Sequence, residues 1–249
     1  MHSRLLLTLG LALSLHLPNR GLGQDPETTE ALLKQDKTLT ELLATQPESL
    51  TLLSRRGDTR QFLARFAEAV TDFERMIALD PLQDAPHWRL GIAYYFTGAF
   101  SKSARQFAKY HAHDGHDREN GIWKFMAQAR EEGLAAARRD MLVYPPQDRE
   151  PFVALYKMFA GDKTPREVLQ SVEGKSFEGR TQVVFFAKYY TGVYLALTGE
   201  TDEGLKLVNE AVQLFTPATA GQGGPGYMWQ VARLHAAVLK TGDGAAKAP

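Results

Sequence analysis

The chain has 249 residues, 44% hydrophobic and 23% charged, enough apolar side chain for a sizeable core. Its 29 basic and 29 acidic side chains cancel, so no general field draws it toward nucleic acid or an anionic membrane surface. It has no cysteine, which excludes disulfides, thiolate metal sites, cysteine nucleophiles, iron–sulfur clusters and a lipid-modified N-terminal cysteine.

Residues 1–23 read as an export signal. Arg4 supplies the basic end, Leu5 to Leu17 the apolar run, and Pro18 the break. Gly21 and Gly23 are the small residues before a cut after Gly23. The apolar run is shorter than the ~20 residues that span a bilayer. The expectation is an exported chain, periplasmic or secreted, with no stable membrane insertion after cleavage. Residues 24–241 are expected to form one all-α domain of about ten to twelve helices, and 242–249 a loose tail.

The first predicted helix runs from Glu27 to Thr45, with Leu32, Leu33, Leu39, Leu42 and Leu43 on one side. A repeat unit then begins at Leu50. In it Phe66, Ala69, Phe73 and Met76 recur at helical spacing, and Asp80–Pro81 ends the helix. A second unit begins at Asp84, with Leu90, Gly91, Tyr94, Gly98, Phe100 and Phe107 at positions 7, 8, 11, 15, 17 and 24. The first unit keeps Gly57 at position 8 but has Arg60 at position 11 and Ala64 at position 15. A degenerate unit follows. Trp123, Phe125 and Met126 mark its first helix, and Leu134, Ala137 and Met141 its second. Two short helices meet at Gly161–Pro165, where Thr164 caps the second and Pro165 occupies its first position. A third clear unit has Gly192, Gly199 and Gly204 at positions 8, 15 and 20, with Ala211 at 27. The stretch 216–228, rich in Gly, Pro and Ala, reads as a flexible loop, and 227–240 as a final helix.

This pattern resembles the tetratricopeptide repeat, a helix–turn–helix unit of about 34 residues that stacks into a superhelical solenoid. Small residues at positions 8 and 20, here Gly91 with Ser103 and Gly57 with Ala69, let paired helices approach. Glycine at 15 suits the turn, where a left-handed backbone costs least without a Cβ. The layout is also similar to exported bacterial repeat proteins of the NlpI type, which act as envelope adaptors, although those carry a lipidated cysteine that this chain lacks. The resemblance implies a concave wall lined by first-helix residues. These are Thr51, Ser54, Asp58, Gln61 and Phe62 in the first unit, and Ala85, Trp88, Ile92, Tyr95 and Phe96 in the second. In the third they are Phe186, Tyr189, Val193, Ala196 and Leu197. The partner-binding candidates are Trp88, Ile92, Tyr95, Phe96, Tyr189, Ser54 and Asp58. Two arrangements fit that wall: a groove open to a peptide, or one filled by the chain's own helices.

No catalytic pattern competes. "KYHAHDGHD" approaches the H-x-H-x-D-H motif of metallo-β-lactamase-type hydrolases, but Gly115 stands where the acid is needed and the run ends a helix. "GQGGPG" lacks the Lys-Ser/Thr of a phosphate loop. Arg56-Gly57-Asp58 falls inside a predicted helix. The expectation is a non-catalytic scaffold or adaptor with no cofactor, taking a protein or peptide partner and no nucleic acid. The alternatives are a self-associating envelope protein, with homo-oligomer formation, or a metal-binding protein through His111, His113 and His116.

Overall fold

Helical periodicity dominates the sequence, and the computed structural model describes residues 26–174 and 179–242. The expected signal, 1–23, and residues 243–249 of the expected tail lie outside the described residues. Among the described residues the chain is all-α, with thirteen α-helices and no strand. They are α1 (Pro26–Thr45), α2 (Leu50–Phe62), α3 (Phe66–Leu79), α4 (Trp88–Phe96), α5 (Phe100–His113), α6 (Arg118–Glu132) and α7 (Leu134–Arg139). Then come α8 (Phe152–Ala160), α9 (Pro165–Val172), α10 (Arg180–Leu197), α11 (Thr201–Val212), α12 (Pro217–Gly221) and α13 (Gly226–Thr241). No helix among the described residues is long and apolar enough to cross a membrane.

One packing contact is built three times. A Cβ on Gly57 would collide with the Phe73 ring, and one on Gly91 would lie 2.8 Å from Cε2 of Phe107. The second contact stands one repeat unit after the first. On Gly192 a Cβ would meet the Gly204 carbonyl oxygen at 2.6 Å and Cγ2 of Val208 at 2.8 Å. The spacing from glycine to large partner is the same in all three hairpins: Gly57 to Phe73, Gly91 to Phe107 and Gly192 to Val208. One turn before each large partner stands the small residue of the facing helix, which is Ala69, Ser103 or Gly204. Ser103 adds a hydrogen bond from its hydroxyl to the Gly91 carbonyl, 2.8 Å. The absence of a side chain thus lets α2–α3, α4–α5 and α10–α11 close at full packing density.

The turns repeat as well. Ala64, Gly98 and Gly199 all have positive φ, at 58°, 77° and 100°. Each is followed by the same 6→1 hydrogen bond: Arg65 N–H to Arg60 O, Ala99 N–H to Tyr94 O, and Glu200 N–H to Leu195 O, at 2.8–2.9 Å. Alanine in the first turn is the one non-glycine residue in this conformation among the described residues.

The departure at Arg60 has a cause. Its guanidinium donates to Asp36 of α1 at 3.0 Å and to Asp72 of α3 at 2.8 Å. Asp72 also receives Arg56 at 2.7 Å, and Asp36 receives Arg65. An ion-pair network stands where the second unit has Tyr94 and the third Leu195, and it binds α1 onto the first hairpin. This network also alters the expected α1 face. Leu32, Asp36, Leu39 and Leu43 are buried, whereas Leu33 and Leu42 are 49% and 41% exposed. At about 100° per residue, Leu33 and Leu42 fall to either side of the 32–36–39–43 stripe.

The remaining differences are local. The helix expected to reach Met141 stops at Arg139, since Asp140 caps α7 and 141–151 run without helix. The Thr164 cap is present as expected, with Glu167 reaching back to close the box. The stretch read as a flexible loop contains α12, held by a reciprocal cap between Thr216 and Thr219. This short element takes the helix count past the expected ten to twelve.

Candidate functional site

The wall expected of the first helices is divided by α13. Ile92, Tyr95 and Tyr189 are buried. His235 of α13 covers Tyr95 and Tyr189. Its ring stacks on Trp123 at 5.6 Å, tilts against Phe96 at 4.8 Å and meets Tyr95 edge-on at 5.5 Å. Its Nδ1 shares a 2.6 Å hydrogen bond with the Tyr189 hydroxyl. Burial holds the imidazole neutral, pushing its pKa down to about 3. A cavity of 20 Å³ remains between Tyr95, Val193 and His235, room for about one water. Of the seven candidate residues, Ile92, Tyr95 and Tyr189 have no access to a partner in this arrangement. Phe96 is half-buried, stacked on Phe66 at 4.9 Å and covered by His235.

The other end of the wall is only half-buried. Ser54, Asp58 and Phe62 stand on successive turns of α2, and all are half-buried. Trp88 opens α4, and Tyr227 lies in the first turn of α13. The Tyr227 ring meets Phe62 edge-on at 4.9 Å and Trp88 at 4.7 Å. Arg89 donates from Nη1 to Asp58 Oδ2 at 2.6 Å, and its guanidinium carbon lies 5.7 Å from the Trp88 ring centroid. Burial raises the Asp58 carboxyl to about 6 despite the opposing Arg89 charge. Neither Asp58 Oδ1 nor the Tyr227 hydroxyl has a hydrogen-bond partner. Three partly exposed aromatic rings therefore form a mouth over a half-paired carboxylate whose free oxygen is buried.

No family model matches the chain, and no curated protein matches it.

Two other clusters are structural. At the end of α5, His111 packs edge-on against Tyr144 at 4.7 Å, while His116 is 84% exposed beside Asp114. These histidines point to different surroundings, and no group of three metal-ligating side chains converges among the described residues. Behind them, Trp123 Nε1 donates to the Tyr190 hydroxyl at 3.0 Å, which donates to Glu119 at 2.5 Å. Arg149 closes the chain at 2.7 Å from Glu119 and reaches Asp117. Burial lifts the Glu119 carboxyl to about 7, against the lowering pull of Arg149. Every link of this chain is hydrogen-bonded, and it anchors segment 141–151 to α6 and α10.

A surface recess of 550 Å³ lies between α9 and the α10–α11 hairpin. It is broad and lined by Leu169, Leu195 and Leu207 with exposed Arg166, Glu200 and Glu203. No buried polar atom in it lacks a partner, so it makes no chemical demand on a ligand.

Sequence reasoning missed Arg89 and Tyr227. Arg89 directly follows a candidate wall residue, so its presence beside Asp58 follows only once α2 and α4 are placed side by side. Tyr227 and Phe62 stand 165 residues apart in the chain, and no local pattern connects them.

Proposed function

We propose that this chain is an exported, non-catalytic scaffold built from tetratricopeptide-type hairpins, holding a protein or peptide partner at the mouth formed by Ser54, Asp58, Phe62, Trp88 and Tyr227. The observation that supports the reading is the hairpin contact repeated one unit on, from Gly57–Phe73 to Gly91–Phe107. Such units present first-helix side chains on one continuous wall, and recognition by a stack of helices works through shape and side-chain pockets. Trp, Tyr and Arg are the residue types enriched at interaction hot spots.

The test is site-specific photocrosslinking in the producing cell, with a photoreactive phenylalanine analogue at Phe62 and a control at Lys206 on α11. A discrete adduct from position 62 that disappears with Trp88→Ala is the expected result. Equal adducts from both positions, or none from position 62, would overturn the reading. Adducts consisting only of a second copy of the chain would favour self-association instead.

A further inference from the structure

The mouth carries a hydrogen-bonding demand that specifies a ligand. An ionised carboxylate accepts through both oxygens, in about four lone-pair directions. Arg89 takes Oδ2 of Asp58, and Oδ1 is buried without a partner. Of the two unmet groups here, the Tyr227 hydroxyl can donate or accept, and Asp58 Oδ1 is an acceptor with negative charge. Its surroundings suit a cation, since the faces of aromatic rings are the negative part of their quadrupole. Arg89 shows this within the chain, being bonded to Asp58 while lying over Trp88. An anionic ligand would find the opposite: the nearest guanidinium is already engaged, and the unpaired oxygen would repel it.

Resting on the scaffold reading above, we propose that this mouth selects a partner segment presenting a lysine or arginine side chain, whose cationic head bonds Asp58 Oδ1 and lies against the rings of Trp88 and Tyr227. Tyr227 acts as the cover. It stands directly after Gly226 at the start of α13, and turning its side chain outward uncovers Oδ1. The raised Asp58 carboxyl fits this arrangement, because one guanidinium does not offset its burial and a second cation would help to. The groups facing Asp58 from the neighbouring helices are Arg89 of α4 and Tyr227 of α13.

A randomised linear peptide library, displayed on phage and selected on the full chain at pH 7.5, tests this directly. The expected outcome is enrichment of Lys or Arg at one position of the selected peptides. Replacing that residue by norleucine should weaken binding to the wild-type chain about tenfold or more, the scale of a charge-assisted hydrogen bond. On Asp58→Asn the same replacement should change affinity little, because the charge it answers is gone. Selected peptides without a basic position would overturn the cation assignment, as would a norleucine penalty equal on both proteins. In either case the scaffold reading survives if Trp88→Ala still weakens binding. No selected peptide, or peptides indifferent to Trp88→Ala, would defeat both. Should Asp58→Asn fail to fold, the library composition and the norleucine penalty on the wild type still decide.

Discussion

Replacing Ala64 by glycine should make this protein more stable, although glycine normally weakens a helical protein. Ala64 sits at φ 58°, in the left-handed region, at the turn position that the other two clear hairpins give to Gly98 and Gly199. An L-residue with a Cβ there costs about 1–2 kcal/mol. Glycine escapes that strain but has more freedom to lose on folding, which takes back about 0.5–1 kcal/mol. The net gain is about 0.5–1 kcal/mol. The hydrogen bonds need not change, since Arg65 N–H to Arg60 O matches Ala99 N–H to Tyr94 O. Gly98→Ala is the mirror experiment. No atom lies within 4 Å of a Cβ at Gly98, so its cost is backbone strain less the same entropy term and should match the gain in size. Thermal unfolding by circular dichroism should show opposite shifts of about 1–4 °C for a chain of this length. A lowered midpoint for Ala64→Gly, or an unchanged one for Gly98→Ala, would refute the assignment of strain to this turn.

Gly192→Ala should lower stability by about 2–3 kcal/mol in urea unfolding, because its Cβ would meet the Gly204 backbone oxygen at 2.6 Å, which cannot rotate aside. Gly91→Ala should cost less, since a Phe107 ring edge at 2.8 Å can turn. His235→Phe should change the pH dependence of stability. His235 and His87 are held neutral, with pKa values of about 3 and about 4 against 6.5. Their contribution is therefore complete above pH 6.5 and lost as pH falls, by about 1.4 kcal/mol per pH unit for each. The variant should start less stable than the wild type at pH 7.5, having lost the Tyr189 partner, and close the gap between pH 6 and pH 4. Parallel urea midpoints across that range would count against it.

The hairpins are legible because their information is local. A glycine, a small residue on the facing helix and a bulky residue one turn beyond it encode one contact within a single unit, and α2–α3, α4–α5 and α10–α11 all obey it. The end of α3 at Asp80–Pro81 and the Thr164 cap are legible for the same reason. The α1 face is misread where apolar identity stands in for geometry: Asp36 is buried by Arg60 and Arg65, and Leu33 and Leu42 lie off the stripe. Helix α12 escapes notice because Gly and Pro dominate its neighbourhood, while its reciprocal Thr216–Thr219 cap has no acidic residue to mark it.

The site is less legible than the fold because a repeat rule treats all wall positions alike, whereas the wall is not periodic. Trp88 and Tyr95 are both first-helix wall residues of one unit, two turns apart. Yet Tyr95 is sealed under His235 and Trp88 remains half-buried against Tyr227. The difference lies in which turn of α13 passes over each. At one turn the helix brings an imidazole that fits among Trp123, Phe96 and Tyr95 and completes a hydrogen bond to Tyr189. Two turns earlier it brings a phenol that leaves its own hydroxyl and Asp58 Oδ1 unpaired. Burying a polar atom without a partner costs about 1–3 kcal/mol; His235 leaves its Nε2 unpaired while the Tyr227 end leaves two such atoms, so the seam is less well satisfied at Tyr227. A helix bound unequally along its length opens first where its contacts are worst. On the proposed reading the N-terminal end of α13 is where a partner would gain entry, and amide exchange should be faster at Trp229, whose N–H is bonded to the Pro225 carbonyl, than at Leu234 and His235. Equal protection along α13 would mean that Tyr227 is a fixed part of the wall.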